Sequence, residues 1–291
     1  MAREFIVPGE IISGSGALDM AENALKLLGK KALIVTDKVM IDLGNCAKVE
    51  KALTNQGIAY SIYSDICGEP TDTMIEKGLQ IYKDENCDFL VALGGGSPID
   101  SMKAIGSLVV NGGSISDYMG KVIDVKMPPM AAIPTTAGTG SEVTAFSVIT
   151  DTSRNYKLTV FSYELLPKYA LLDPEMIMSV PPMVAASCGI DALIHAWEAY
   201  TSLGASPFSD AMAEKAMELI GGNIRRFVAN RKDEEAACAM MSGSMFAGIA
   251  FAWARLGDVH AMSHPVSAFF GVQHGVANSI LLPVIVEYNA L

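Results

Sequence analysis

The sequence predicts an α/β amino-terminal domain built on a parallel sheet, followed by an all-α carboxyl-terminal domain. Over the first 175 residues, short runs rich in β-branched residues alternate with stretches of helical apolar periodicity, which is typical of parallel strands covered by helices. After about residue 180 only the helical periodicity continues, and the prolines of SVPPM (179–183) separate the two patterns. We therefore expect one domain over 1–178 and a second over 179–291.

The amino-terminal part contains five segments with the length and apolar content of buried strands. They are 30–37, 59–66, 88–95, 129–136 and 168–175. Between strands, segments 73–86 and 98–111 place apolar residues at helical spacing. Strand runs that are apolar on both faces indicate a sheet with helices packed on each side.

The composition limits the classes of partner and the cellular location. Of the 291 residues, 51% are hydrophobic and 18% are charged, which is ample for a buried core. The net charge of −11 disfavours nucleic acid and anionic membranes as partners. The longest continuous apolar runs, such as ILLPVIV (280–286), are too short to cross a bilayer. Five cysteines without CxxC spacing indicate reduced thiols and a cytoplasmic location.

A run of three glycines lies where a buried strand passes into a helix, in LVALGGGSPID (90–100). Ser97 is a good helix N-cap, Pro98 suits the first helical position, and Asp100 lies where a capping box places its acid. The free N–H groups at such a helix start favour the binding of a pyrophosphate. The pattern is neither G-x-G-x-x-G nor a P-loop, and a structural turn without a ligand is the alternative.

Two further segments point to a dinucleotide. Asp37 ends the strand ALIVTD, where an acid can accept hydrogen bonds from a ribose diol and repel a 2′-phosphate, which favours NAD over NADP. PTTAGTGSEVT (134–144) follows another strand and is rich in hydroxyls and glycines that fit phosphate and nicotinamide contacts. Lys157 could add a cation. Taken singly, each of these could also be a solvated loop residue or a polar turn.

All four histidines of the chain lie between residues 195 and 274. Asp191 precedes His195 by four residues and His260 precedes His264 by four, so each pair shares one face of a helix. His274 follows in GVQHGVAN. Two facing helices could aim these groups at one point, and carboxylate together with imidazole suits iron or zinc. The alternative is a set of scattered, half-buried histidines that make ordinary hydrogen bonds.

With these motifs in place, the chain resembles the iron-dependent (group III) alcohol dehydrogenases from its first residues to its last. The resemblance rests on GGGSPID, PTTAGTGSEVT, GIDALIHAWEAY, SPFSDAMAEKAMELI and HAMSHPVSAFFGVQHGVANSILLP. It implies the fold that this family shares with dehydroquinate synthases. It also implies that the metal ligands are Asp191, His195, His260 and His274, whereas His264 lies near the nicotinamide and the substrate. Spacing alone does not distinguish His260 from His264.

The resemblance also implies a set of residues that contact the nucleotide. These are Asp37, Gly95, Gly96, Ser97, Asp100, Thr135, Thr136, Thr139, Ser141, Thr144 and Lys157. Two positions depart from the family pattern, because Glu69 in GEPT stands where relatives often have asparagine and Phe146 replaces a polar residue. Relatives also continue past the ILLP segment, so we expect the helical domain to be incomplete at its carboxyl end.

The function implied by the resemblance is that of a metal-dependent oxidoreductase. It would transfer a hydride between a small primary alcohol or diol, or the corresponding aldehyde, and NAD, with Fe²⁺ as the metal and Zn²⁺ as the alternative. His264 would be the catalytic proton relay. The alternatives are a zinc enzyme similar to glycerol dehydrogenase and a non-catalytic remnant that binds nucleotide or metal. Relatives are dimers or larger, so a homo-oligomer is expected, and the expected partners are small-molecule alcohols or aldehydes.

Overall fold

The α/β region and the helical region are both present in the computed structural model, which describes residues 4–121 and 123–290. The chain divides into two compact units. The α/β unit consists of Ile6–Thr135 and Ser141–Met176. The helical unit is formed by the described chain beyond Met176, and it also includes residues 4–5 at the amino terminus and the short internal segment Thr136–Gly140. The sequence analysis did not predict that this internal segment groups with the helices.

The α/β unit is built on one six-stranded sheet in which all neighbouring strands run parallel. In chain order the strands are β1 Glu10–Ser13, β2 Lys31–Val35, β3 Ala59–Tyr63, β4 Phe89–Gly94, β5 Met130–Pro134, β6 Phe146–Asp151, β7 Tyr156–Phe161 and β8 Tyr169–Leu172. The order across the sheet is β1-β8-β5-β4-β2-β3, and β6 and β7 form a separate antiparallel hairpin. The five predicted strands are therefore confirmed, each a few residues shorter than its apolar run.

Helices cover both faces of the parallel sheet. They are α1 Ala17–Met20, α2 Glu22–Lys26, α3 Lys38–Asp42, α4 Asn45–Asn55, α5 Asp72–Asp84 and α6 Gly96–Asn111. Alternate residues of one central strand enter two separate cores: Leu33 and Val35 pack with α5 and α6, whereas Ala32 and Ile34 pack with α2 and α4. Burial on both faces explains why the strand runs are apolar throughout.

The sequence analysis missed β1 and the β6–β7 hairpin. Strand β1 has four residues, of which only Ile12 is buried, so its apolar pattern is too short to stand out. It forms the edge of the sheet beside β8. In β6, buried residues alternate with half-buried ones, and the turn that follows contains Asn155 in a left-handed conformation with φ of 49°. The two strands of the hairpin follow each other without a helix between them, whereas the predicted strands alternate with helices.

The helical unit contains five long helices among the described residues. They are α7 Pro182–Thr201, α8 Pro207–Ala229, α9 Glu234–Ala254, α10 Asp258–Phe270 and α11 His274–Asn289. Proline begins both α7 and α8, where its missing N–H costs nothing. Helices α7, α8 and α9 pack against one another, and α11 packs against α7. The described part of the chain after β8 contains no strand, as the sequence predicts.

Helix α9 is long and apolar enough, by length and composition alone, to cross a membrane, with a mean hydropathy of 1.4 over its best window. The sequence predicts a helix over this segment but no continuous apolar run, because single polar residues interrupt its alanines and methionines. In the structure, 61% of that window is buried, and α9 packs against α7 and α8. Such burial is typical of the central helix of a helical domain.

Candidate functional site

Three helices of the helical unit bring the four predicted metal ligands together. Asp191 and His195 lie one turn apart on α7, His260 lies in the first turn of α10, and His274 is the first residue of α11. Residues four apart share a helix face, so the two side chains of α7 point the same way. Asp191, His195 and His260 are buried, and the side chain of His274 is 29% exposed. Three imidazoles thus approach one carboxylate, and the ligand atoms of Asp191, His195 and His260 all lie within 4.8 Å of one another.

The close approach of α11 to α7 depends on Gly275. A Cβ atom at this position would clash with the carbonyl oxygen and the hydroxyl of Ser187 on α7. Because glycine has no side chain, the start of α11 can lie directly on α7. The contact carries the neighbouring His274 to within reach of Asp191.

The separations between Asp191 and the three imidazoles are close to those expected around a single divalent ion. The Nε2 atoms of His260, His274 and His195 lie 3.4, 3.6 and 4.0 Å from Asp191 Oδ1. Ligand atoms bound tetrahedrally at about 2.1 Å from an ion lie about 3.4 Å from one another. Oxygen and imidazole nitrogen donors together suit iron or zinc.

Two hydrogen bonds turn imidazole Nε2 atoms toward this point. His260 Nδ1 donates to Glu198 Oε2 at 2.5 Å, and the backbone N–H of Val259 donates to the other oxygen of the same carboxylate at 2.7 Å. The Nδ1 atom of His195 donates to the Gly138 carbonyl oxygen at 3.3 Å. A partner on Nδ1 fixes the tautomer and leaves Nε2 free to bind a metal. Glu198 was not predicted from the sequence.

Asn278, one turn after His274 on α11, places its amide among the ligand atoms. Its Nδ2 lies 2.6 Å from Asp191 Oδ1, 3.2 Å from His260 Nε2 and 3.3 Å from His274 Nε2. The buried Oδ1 atom of the same amide has no hydrogen-bond partner among the described residues. A buried polar atom without a partner is unusual. The Asn278 amide therefore uses its nitrogen at the cluster and leaves its oxygen without a protein partner in the described part of the chain.

The electrostatics of the cluster also favour a cation. Burial by itself would raise the pKa of Asp191, but nearby His195 and the hydrogen bond from His260 outweigh it and hold the pKa well below its usual range. Burial lowers the pKa of His195 to about 4. Burial also acts to lower the pKa of His260, but hydrogen bonds to Asp191 and Glu198 raise it to about 9. A buried carboxylate that stays ionised attracts a cation, and metal binding must displace the His260 proton.

The fourth histidine lies beside the cluster and is exposed. The ring centroid of His264 lies 5.1 Å from that of His274 and 6.0 Å from that of His260. His264 is one turn after His260 on α10, so the two share a face, as their spacing predicts.

The α/β unit contains a cavity of about 700 Å³ at the carboxyl ends of three adjacent strands, β3, β2 and β4. It is lined by Asp37, Lys38, Val39, Ser64, Asp65, Ile66, Cys67, Gly68, Gly95, Gly96, Ser97 and Pro98. Ligands of parallel α/β sheets bind at this edge. Four predicted nucleotide contacts, Asp37 and the Gly95–Ser97 turn, are thus brought together. The carboxylate of Asp37 also caps α3 by accepting from the Met40 N–H at 3.0 Å.

The glycine turn starts α6 directly at this cavity. Gly94 has a φ of 154°, and a Cβ atom there would clash with the ring of Pro98. Only glycine fits such a position easily. The helix begins at Gly96 with no side-chain hydrogen bond to its first N–H groups, so these groups can face an anion.

Three other predicted nucleotide contacts lie around a buried lysine instead of lining the cavity. Ser141 Oγ donates to Asp100 Oδ1 at 2.5 Å, and both Ser141 and Thr144 contact the ammonium group of Lys103. Lys103 is fully buried, and the sequence analysis did not single it out. The only signal for this cluster in the sequence is an acid and a lysine three residues apart in an apolar helix. Ion pairs on helix surfaces have the same spacing, so the signal is not specific.

The remaining predicted contacts are dispersed. Thr135 follows β5, and its backbone N–H donates to the Gly94 carbonyl at 2.9 Å. Thr136 and Thr139 belong to the internal segment that groups with the helical unit. Lys157 on β7 forms an ion pair of 2.6 Å with Glu69, the acid that departs from the family pattern. The positive charge of this lysine is therefore shared with a carboxylate.

A parallel α/β unit with a glycine turn at a cavity, followed by a helical unit with a carboxylate–imidazole cluster, is typical of metal-dependent dehydrogenases. Residues 8–174 match the family described as iron-containing alcohol dehydrogenase, and residues 185–291 match the carboxyl-terminal part of the Fe-containing alcohol dehydrogenase family. The chain belongs to the iron-containing alcohol dehydrogenase family. The match is to this family and not to the zinc enzymes similar to glycerol dehydrogenase that were the alternative.

Named relatives agree with this assignment. The chain is 42% identical over 294 residues to the NAD-dependent methanol dehydrogenase of Bacillus methanolicus, covering all of this chain and 77% of the relative. It is 40% identical to the lactaldehyde reductase of Escherichia coli K12, covering all of this chain and 76% of the relative. A crystal structure of 1,3-propanediol oxidoreductase superposes with a TM-score of 0.97 at 38% identity, covering 99% of this chain and 76% of that one.

Proposed function

We propose that this protein is an NAD-linked, iron-dependent oxidoreductase that interconverts a small primary alcohol or diol and its aldehyde. The observation that carries the proposal is the approach of the His195, His260 and His274 imidazoles to the Asp191 carboxylate, in a chain of the iron-containing alcohol dehydrogenase family. Names of relatives add methanol, lactaldehyde and 1,3-propanediol as the type of substrate. Fe²⁺ is the proposed metal, with Zn²⁺ as the alternative.

The chain's own residues would prepare the reacting oxygen by fixing the cation. When bound, Fe²⁺ would supply Lewis acidity toward the alcohol or carbonyl oxygen, and NAD would supply the hydride acceptor. Asp191 provides the negative charge, and Glu198 and the Gly138 carbonyl hold the rings of His260 and His195 in the required orientation.

The nucleotide would bind at the cavity of the α/β unit. The free N–H groups at the start of α6 would receive the pyrophosphate, because backbone N–H groups and the helix dipole favour an anion there. The carboxylate of Asp37 lines the same cavity and would accept hydrogen bonds from the ribose diol. A second carboxylate in the lining, that of Asp65, would add to the repulsion of a 2′-phosphate.

His264 would move the proton. It lies beside the cluster with its ring 5.1 Å from that of His274, and it is exposed, so its imidazole can exchange protons with water. An imidazole titrates near neutral pH, which suits a relay between the substrate oxygen and solvent. This role is separate from metal binding, and the two roles can be distinguished by mutation.

We also propose four properties of the whole chain. Its domains would extend over 1–178 and 179–291, close to the change from strands to helices. The scattered cysteines support a cytoplasmic location, and the net charge of −11 argues against nucleic acid and anionic membranes as partners. A homo-oligomer, with a dimer as the simplest form, is proposed from the resemblance to the family.

The test is an anaerobic assay of the purified chain with added Fe²⁺ or Zn²⁺. The assay would follow the absorbance of NADH. It would measure oxidation of NADH with propanal or lactaldehyde, and reduction of NAD with a panel of small alcohols and diols. Turnover that needs stoichiometric metal supports the proposal. Nucleotide binding without turnover with any substrate of the panel would favour the non-catalytic remnant and overturn it.

A further inference from the structure

Lys103, in the second turn of α6, is a charged side chain with no exposed surface. Its ammonium group donates to three backbone carbonyl oxygens, those of Ser141 at 2.7 Å, Thr144 at 2.9 Å and Phe146 at 2.7 Å. An ammonium group has three N–H donors, so these carbonyls alone can use all of them. The hydroxyls of Ser141 and Thr144 lie nearby at 3.0 and 3.4 Å. A single side chain thus binds three points of the segment from 141 to 146.

Asp100, one turn before Lys103, holds the same segment from the other side. Its Oδ1 accepts from Ser141 Oγ at 2.5 Å, its Oδ2 accepts from the Val148 N–H at 2.9 Å, and its backbone carbonyl accepts from Ser147 Oγ at 2.8 Å. The Lys103 ammonium lies 3.9 Å from the Asp100 carboxylate. Two residues of α6 therefore bind residues 141–148 through both backbone and side chains.

This arrangement is costly in stability, so its presence needs an explanation. Removal of an ammonium group from water carries a large desolvation penalty, and apolar residues of similar volume often stabilise a core equally well or better. Burial lowers the pKa of Lys103 to about 8 against the charges of Asp100 and Glu142, which favour the charged form. What a lysine offers and a methionine lacks is directional binding of three carbonyl groups.

The position of Lys103 suggests what the directional binding is for. The first turn of α6 faces the cavity where we propose that the pyrophosphate binds, and Lys103 lies in the second turn of that helix. The bound segment contains Ser141 and Thr144, which the family resemblance implies in nucleotide contacts. Their hydroxyls are buried and engaged with Lys103 and Asp100.

We propose that Lys103 is a positioning residue for nucleotide binding, holding the segment 141–146 in register with the start of α6. Asp100, Ser141 and Thr144 then contribute to nucleotide affinity through this network and not by touching the nucleotide. The inference rests on the proposed function, because it concerns the affinity for NADH.

The test compares Lys103→Met, which keeps most of the length of the side chain and removes its donors, with Ile105→Val, which trims a buried core residue of the same helix. Lys103→Met is expected to raise the dissociation constant and the KM for NADH by about tenfold or more, since hydrogen bonds to a charged group are lost. The kcat at saturating NADH and the metal content should change by less than about threefold. Ile105→Val should lower the Tm with an unchanged KM.

A double-mutant cycle tests whether Ser141 acts through Lys103 or contacts the nucleotide itself. If Ser141 acts through Lys103, adding Ser141→Ala to Lys103→Met should change the NADH dissociation constant no further. Additive losses would show that Ser141 binds the nucleotide directly. If Lys103→Met does not fold, Asp100→Asn is used instead, and an unchanged dissociation constant in that variant overturns the proposal.

The outcomes also separate this inference from the proposed function. A wild-type chain that neither binds NADH nor turns over overturns both. A wild-type chain that is active, together with a Lys103→Met variant that keeps the wild-type KM, overturns the role of Lys103 and leaves the proposed function standing.

Discussion

The helical unit and the α/β unit each bury a group of charged side chains, and the two groups differ in how their polar atoms are used. In the metal cluster (Asp191, His195, His260 and His274), the Nε2 atoms of the rings face one carboxylate oxygen. In the lysine cluster (Asp100, Lys103, Ser141 and Thr144), backbone carbonyls engage every donor of the ammonium group.

The difference teaches what distinguishes a ligand site from a structural polar core. Both clusters are buried and both shift pKa values, so neither property identifies the site that binds a ligand. The metal cluster directs lone pairs at a common point, whereas the lysine cluster directs donors at the backbone. The following variants test that distinction, beginning with the largest expected effect.

His274→Ala is expected to abolish both metal retention and turnover. Its Nε2 is one of the donors that converge on Asp191, and three remaining ligands hold a divalent ion far less tightly. Metal content after gel filtration and NADH-linked activity would be measured together. Retention of one metal ion per chain by this variant would refute the assignment of His274 as a ligand.

His264→Ala is the matched histidine variant outside the cluster. We expect turnover to fall by about a hundredfold, the lower range for loss of a general acid–base group, while the metal content stays at the wild-type value. Parallel measurements of kcat and metal stoichiometry distinguish the two roles. Loss of the metal in this variant would mean that His260 and His264 have been assigned in the wrong order.

Glu198→Gln is expected to weaken metal binding by about 10- to 100-fold without abolishing it. The glutamine side chain has one carbonyl oxygen, so it cannot accept from both His260 Nδ1 and the Val259 N–H as the carboxylate does. Competition with a chelator would give the metal dissociation constant. Glu218→Gln, on the exposed surface of α8, is the control, and equal constants in both variants would contradict an orienting role for Glu198.

Glu142→Gln should leave the metal content unchanged and alter only the pH dependence of stability. Burial raises the pKa of Glu142 from 4.5 to about 7, so the folded state holds this proton more tightly than the unfolded state does. The contribution of the protonated Glu142 to the free energy of unfolding is fully present below pH 4.5 and is lost as the pH rises through about 7. Between pH 5 and pH 8, we expect the free energy of unfolding of the variant to gain about 2 kcal/mol relative to wild type.

Urea unfolding at both pH values would measure this difference, and the exposed Glu76→Gln is the control for loss of a carboxyl group from the same unit. An equal pH dependence in wild type and Glu142→Gln would show that the buried carboxyl group does not titrate in this range.

Local patterns in the sequence predict much of this molecule. The strands were found because both of their faces are apolar, and the shared face of Asp191 and His195 follows from their spacing of four. The choice of His260 over His264 came from the family resemblance alone, because the two residues have equivalent spacing. The glycine turn was identified because the order of strand, glycines and helix is local, but the predicted N-cap at Ser97 is wrong, because the helix begins at Gly96 after Gly95 as N-cap.

The supporting contacts could not be predicted, because their partners are distant in sequence. Glu198 lies 62 residues from His260, Asn278 lies 87 residues from Asp191, and Lys103 lies 38 residues from Ser141. In the sequence, each of these residues looks like an ordinary polar residue of a helix. Only the packing of the helices decides which polar residue meets which partner.

The four predicted ligands come from three separate helices, and this has a consequence for handling the protein. A bound cation would act as a cross-link between α7, α10 and α11, and its affinity would be counted in the free energy of folding. Thermal tolerance would then vary with the history of a preparation. Material purified through a chelating buffer and material grown with abundant iron would melt at different temperatures, although their sequences are identical.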